Sequence, residues 1–133
     1  MQIERFHTLL DDVLLTKIPD LHLTTGMCPY VRGHDGAMRA VQAFGTLSLE
    51  DMRAIASFVL PADRRGAWPD EKEMDASFQY GGARFRVNAY YETRGPSFAF
   101  RLVANDIPSA EDLGLPKSVV DLMHREHGLV LIT

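Results

Sequence analysis

Apolar side chains recur at Ile3, Phe6, Leu10, Val13 and Leu14, a spacing that predicts an amphipathic helix over about residues 2–16. The pattern then shortens. "DLHL" (Asp20 to Leu23) alternates polar and apolar and predicts a strand; "CPYVRG" reads as a second extended piece, "GHDG" as a turn and "AMRAV" as a returning strand. Helical spacing resumes at Leu49, Met52, Ile55, Ala56 and Val59. Ser48 stands where an N-cap belongs, and Asp51 three residues later completes a capping box. Pro61 predicts one more short helix over "PADRRGAW".

Strict alternation follows in "MDASFQY", "ARFRVNAYYE" and "RGPSFAFRLVA". Gly81-Gly82 lies between the first two, as a tight hairpin with two positive-φ residues requires. Parity assigns Phe78, Phe85, Val87, Phe98, Phe100 and Leu102 to a core face, and Ser77, Gln79, Arg84, Arg86, Asn88 and Arg101 to the other. The expected class is α+β, an antiparallel sheet with helices on one face. Its polar face is either a plain solvated surface or a docking surface on which rigidly mounted guanidiniums meet an anion or an acidic partner. "NDIPSAEDLGL" has no period and reads as a linker region. Pro116 opens a helix in which Val119, Val120 and Met123 share a face, and "GLVLIT" reads as a strand suited to burial on both faces.

Composition narrows the functional classes. The 133 residues suit one domain, and the net charge of -4 disfavours a general nucleic-acid binder. A single cysteine, Cys28, excludes an internal disulfide framework. No segment has the uninterrupted apolar length of a membrane span or a signal peptide. His124 and His127 are three apart without a carboxylate or cysteine set to complete a zinc site, His22 reads as a structural hydrogen-bonding residue, and no G-x-x-x-x-G-K-[ST] loop occurs. Nothing in the chain amounts to a self-sufficient active site.

Three segments, in order, carry a resemblance. "DLHLTTGMCPYVRGHDG", then "ARFRVNAYYETRG" with "FRLV", then "LGLP" with "GLVLIT" resemble the N-terminal part of the pilus-retraction (twitching motility) ATPases, the PilT-like branch of the secretion ATPase superfamily. Pro19 stands where that family usually has Ser, Cys28-Pro29 where it usually has two prolines, and the turn between Arg32 and Asp35 is one residue longer.

The resemblance implies a PAS-like N-terminal domain over residues 1–104, a linker over 105–110, and over 111–133 the start of a RecA-like ATPase domain that breaks off before its Walker A loop. The C-terminal helix and strand would then belong to a motor domain that is missing here. It implies a hexameric, cytoplasmic machine, peripheral at the inner-membrane pilus platform and its components, with ATP and Mg bound in the full-length protein and no turnover by this chain alone. It also implies that arginines of the meander reach ATP phosphates: Arg86 and Arg101 first, with Arg84 and Arg94 as secondary candidates. A second reading is a free-standing PAS-like sensor with a ligand cavity between sheet and helices.

Overall fold

The computed structural model describes residues 3–66, 68–104 and 106–131. Helix α1 (Ile3–Thr16) leads into β1 (Asp20–Thr24), β2 (Tyr30–Arg32) and β3 (Met38–Ala40). A 3-10 turn (Gln42–Phe44) precedes α2 (Leu49–Val59), and the one-turn helix α3 (Trp68–Glu71) precedes the meander β4 (Glu73–Tyr80), β5 (Ala83–Glu92) and β6 (Gly95–Val103). Helix α4 (Lys117–Leu122) follows. The strands form one six-stranded sheet in the order β3-β2-β1-β6-β5-β4, and each neighbouring pair is antiparallel. The N-terminal strands and the meander thus join through β1 and β6, which are far apart in sequence.

One face of the sheet carries the core. Phe6, Leu9, Leu10 and Val13 of α1 and Met52, Ile55, Ala56 and Val59 of α2 bury against Leu21, Leu23, Phe78, Phe85, Val87, Phe98 and Phe100. The parity assignment therefore holds, with Leu102 partly buried at the rim. Phe100 is central: its ring lies 5.8 Å from Phe6, 6.1 Å from Phe98, 6.3 Å from Phe85 and 6.4 Å from Phe78, centroid to centroid. Trp68 closes one end of this layer, donating its indole N–H to the Ala89 carbonyl at 3.1 Å. Gly81 (φ 56°) and Gly82 (φ 77°) make the hairpin turn that their sequence predicts.

Ser48 caps α2 through a complete capping box: its hydroxyl accepts from the Asp51 N–H at 3.1 Å, and the Asp51 carboxylate accepts from the Ser48 N–H at 2.8 Å. Ser48→Ala should lower stability by about 1 kcal/mol. A urea midpoint unchanged from the wild type would show the cap to be dispensable.

Two expected elements differ. The helix over "PADRRGAW" does not form: residues 62–66 are turns, and α3 is a single turn beginning at Trp68. The segment has no apolar stripe to bury, Gly66 disfavours helix, and Arg65 spends its side chain on the Leu60 carbonyl at 2.9 Å. The terminal strand is also absent. Leu129, Val130 and Leu131 have no strand partner among the described residues and are exposed, while Ile132 and Thr133 lie outside the described residues. An apolar run becomes a strand only where a neighbour takes its backbone hydrogen bonds, and neither edge of this sheet receives it.

Candidate functional site

The sheet face turned away from the helices is polar. Its residues line up across strands by register. One row runs from Met38 on β3 through Arg32, Asp20 and Arg101 to Arg86 and Ser77 on β4. Arg86 and Arg101 are therefore direct cross-strand neighbours, two like charges brought side by side. Carboxylates offset them. Arg101 Nε donates to Asp20 Oδ1 at 2.9 Å, Arg32 Nε lies 3.8 Å from Asp20 Oδ2, and an Arg86 terminal nitrogen lies 3.5 Å from Asp75 Oδ2. The Asp20 hydrogen bond raises the Arg101 pKa further above its ordinary value.

The next row places His22, Ala99, Asn88 and Asp75 side by side. Ala99 is small among bulky polar neighbours. The result is an open groove of about 390 Å³ with His22, Arg101, Arg86 and Asn88 on its walls. Asn88 Nδ2 donates to Glu73 Oε1 at 3.1 Å and to Asp75 Oδ1 at 3.4 Å, tying the acidic side of the groove to β5.

His22 departs from its expected hydrogen-bonding role, because its Nε2 is buried without a hydrogen-bond partner among the described residues. Burial lowers its pKa from 6.5; the Asp20 charge opposes this, and Arg32 and Arg101 reinforce it. The imidazole is thus neutral at pH 7. As pH falls below 6.5, the unfolded chain takes up a proton that folded His22 refuses, so stability drops through that window down to the lowered folded value. Urea midpoints of wild type and His22→Gln should diverge below pH 6.5. Parallel curves would exclude this role for His22.

Of the four sequence-predicted arginines, the structure brings together Arg86 and Arg101. Arg84 shares their face two residues along β5, forms no ion pair among the described residues and borders two shallow depressions. Arg94 sits in the β5–β6 turn. At about 3.3 Å of rise per residue, that turn is more than 20 Å along the strand from Arg86. Arg94 is therefore not part of the cluster. Arg32, Asp20, Asp75 and Asn88 belong to the site but were not singled out by sequence reasoning. The signal for Asp20 was its place in "DLHL", in phase with His22; the other three had none beyond alternation. Cys28 is a half-buried free thiol, His124 and His127 lie on the exposed segment after α4, and the described residues hold no cluster of three metal-ligating side chains.

No protein-family model matches the chain. The type IV pilus retraction ATPase PilT of Pseudomonas aeruginosa is 32% identical over 115 residues, which is 86% of this chain and 33% of PilT. A twitching motility protein of Neisseria gonorrhoeae is 32% identical over 106 residues, 79% of this chain and 28% of that protein. The crystal structure of the pilus retraction motor PilT with bound ADP matches at a TM-score of 0.76 and 32% identity, over 90% of this chain and 35% of that one. The chain is homologous to the N-terminal region of PilT-type ATPases.

It spans about a third of the length of the PilT relatives it matches. The six-stranded antiparallel sheet with its helices matches the N-terminal domain of PilT, which settles the α+β class. None of the described helices is long and apolar enough to cross a membrane. The PilT likeness covers the arginine-bearing meander and the "DLHL" strand together, the two segments that build the groove.

Proposed function

We propose that this chain is the N-terminal, PAS-like domain of a hexameric, cytoplasmic ATPase that powers type IV pilus retraction or a related secretion step. Within that assembly the domain packs between subunits and turns its outer-face arginines towards ATP phosphates. One observation carries the reading: Arg86 and Arg101 stand directly opposite each other on the face that the core does not use. Their chemistry fits a phosphate. The terminal nitrogens of Arg101 donate to no described group, and planar guanidiniums on a rigid sheet suit bidentate contact with phosphate oxygens. The described residues do not supply a ligand set for the accompanying Mg.

On this reading residues 1–104 are the folded unit, 105–110 a linker and 111–133 the start of a RecA-like motor domain, with the pilus inner-membrane platform as the machine's partner. No described residue from 106 to 131 is buried, which supports that division. A chain ending at residue 104 should keep the melting temperature of the long form within about 2 °C, because it loses no core contact. A drop of 10 °C or so, large for a segment outside the core, would assign the tail to this domain instead. The chain alone should turn over no ATP, since it lacks a P-loop to cradle phosphates. Reading the native gene past Thr133 tests the whole proposal: a Walker A motif supports it, and a stop codon overturns it. The alternative sensor reading needs a ligand cavity between sheet and helices. Phe6, Phe85, Phe98 and Phe100, each at most 1% exposed, fill that layer with packed rings.

A further inference from the structure

Arg86 and Arg101 are neighbours, yet their carboxylate partners hold them differently. We propose that Asp20 is a positioning residue that fixes Arg101 as a pre-set phosphate contact, whereas Asp75 is a displaceable counter-ion that gives up Arg86 when phosphate arrives. This rests on the reading that the outer face meets ATP phosphates.

Asp20 sits on β1 directly opposite Arg101, and its side chain is only 11% exposed. It takes the Nε–H at 2.9 Å. That bond anchors the guanidinium at its Nε edge and leaves both terminal nitrogens without a described partner, available for a two-oxygen contact. The other Asp20 oxygen lies 3.8 Å from Arg32 Nε on β2, a longer ion pair without a hydrogen bond. Arg86, by contrast, offers a terminal nitrogen to Asp75 at 3.5 Å, at the long limit of a hydrogen bond, and both side chains are well exposed, at 70% and 60%. Asp75 keeps Asn88 and solvent as partners if Arg86 leaves. A long pair with both partners solvated yields readily to a phosphate, and an exposed guanidinium anchored at 2.9 Å on a largely buried carboxylate does not.

The two carboxylates therefore have distinguishable signatures. Removing either makes the groove more positive and strengthens ground-state attraction for an anion. Only removal of Asp20 also frees the Arg101 guanidinium to wander. In the complete ATPase, Asp75→Asn should lower KM for ATP by about fivefold, a single-charge effect near a surface. Asp20→Asn should lower kcat by about 10–100-fold without raising KM, the cost of a misplaced contact. The double variant Asp20→Asn/Arg101→Ala should be no slower than Arg101→Ala alone, because Asp20 acts through Arg101. Additive losses would overturn the assignment.

A measurement on the unsubstituted chain covers the case in which Asp20→Asn fails to fold. With tripolyphosphate as the probe, the Nε–Hε NMR signal of Arg101 should stay slow to exchange while the Arg86 signal shifts. An Arg101 Hε that exchanges as fast as free arginine overturns the proposal. If Arg86→Ala and Arg101→Ala hydrolyse ATP at the wild-type rate, the phosphate reading itself fails. If they lose activity and Asp20→Asn does not, only the role of Asp20 falls.

Discussion

Arg101→Ala and Arg86→Ala should each slow ATP hydrolysis by about 10³-fold or more in the complete ATPase, with the domain still folded. The size follows from what a guanidinium does beside a transferring phosphoryl group. It stabilises charge that develops on the equatorial oxygens, and Arg101 does so with little reorganisation because Asp20 already anchors its guanidinium. The fold should survive because both side chains lie on the outer face, opposite Phe85, Val87 and Phe100, and are 70–71% exposed. Asp20 keeps Arg32 as a partner when Arg101 is gone. Steady-state turnover measured beside circular-dichroism melts checks both halves. Variants that fold normally and turn over at the wild-type rate would remove these arginines from the mechanism. Arg84→Ala should have a smaller effect, and Arg94→Ala the least, because the β5–β6 turn carries Arg94 away from the cluster.

The second large effect is on stability. Phe100→Ala should cost about 3–5 kcal/mol, as large-to-small changes at a buried aromatic do. Phe100 is 1% exposed and touches four other phenylalanine rings from α1, β4, β5 and its own strand. Collapse into the hole is blocked because each of those rings is fixed by its own strand or helix. Against a total stability of roughly 5–15 kcal/mol, such a loss removes about a fifth of the margin or more. Phe85→Ala should behave alike, while Phe58→Ala, at 40% exposure on the rim of the same cluster, should cost clearly less. Urea midpoints for the three variants decide it. Equal costs at Phe58 and Phe100 would mean that the ring cluster is not the keystone of the core.

The two faces of the meander were legible in the sequence because side chains on a strand alternate, so Phe85 and Arg86 must point oppositely whatever the strand pairs with. The Gly81-Gly82 turn and the Ser48 cap with Asp51 were legible for the same reason: their interactions close within four residues. The helical stripes of α1 and α2 likewise needed only their own period.

What periodicity could not supply was the partner of each strand. "DLHL" reads as a strand in isolation, but only the pairing of β1 with β6 sets Asp20 against Arg101, 81 residues away, and makes a clamp from two unremarkable charges. The same pairing sets His22 opposite Ala99, where the groove opens and where His22 Nε2 has no hydrogen-bond partner among the described residues. The failures have the same origin. "GLVLIT" has the composition of a central strand, yet its described part forms none, because a strand is completed by its neighbour's hydrogen bonds and no strand among the described residues pairs with it. Local chemistry therefore determined the elements and their faces. Strand order and register, which depend on contacts between distant segments, decided which charges meet and hence where the groove lies.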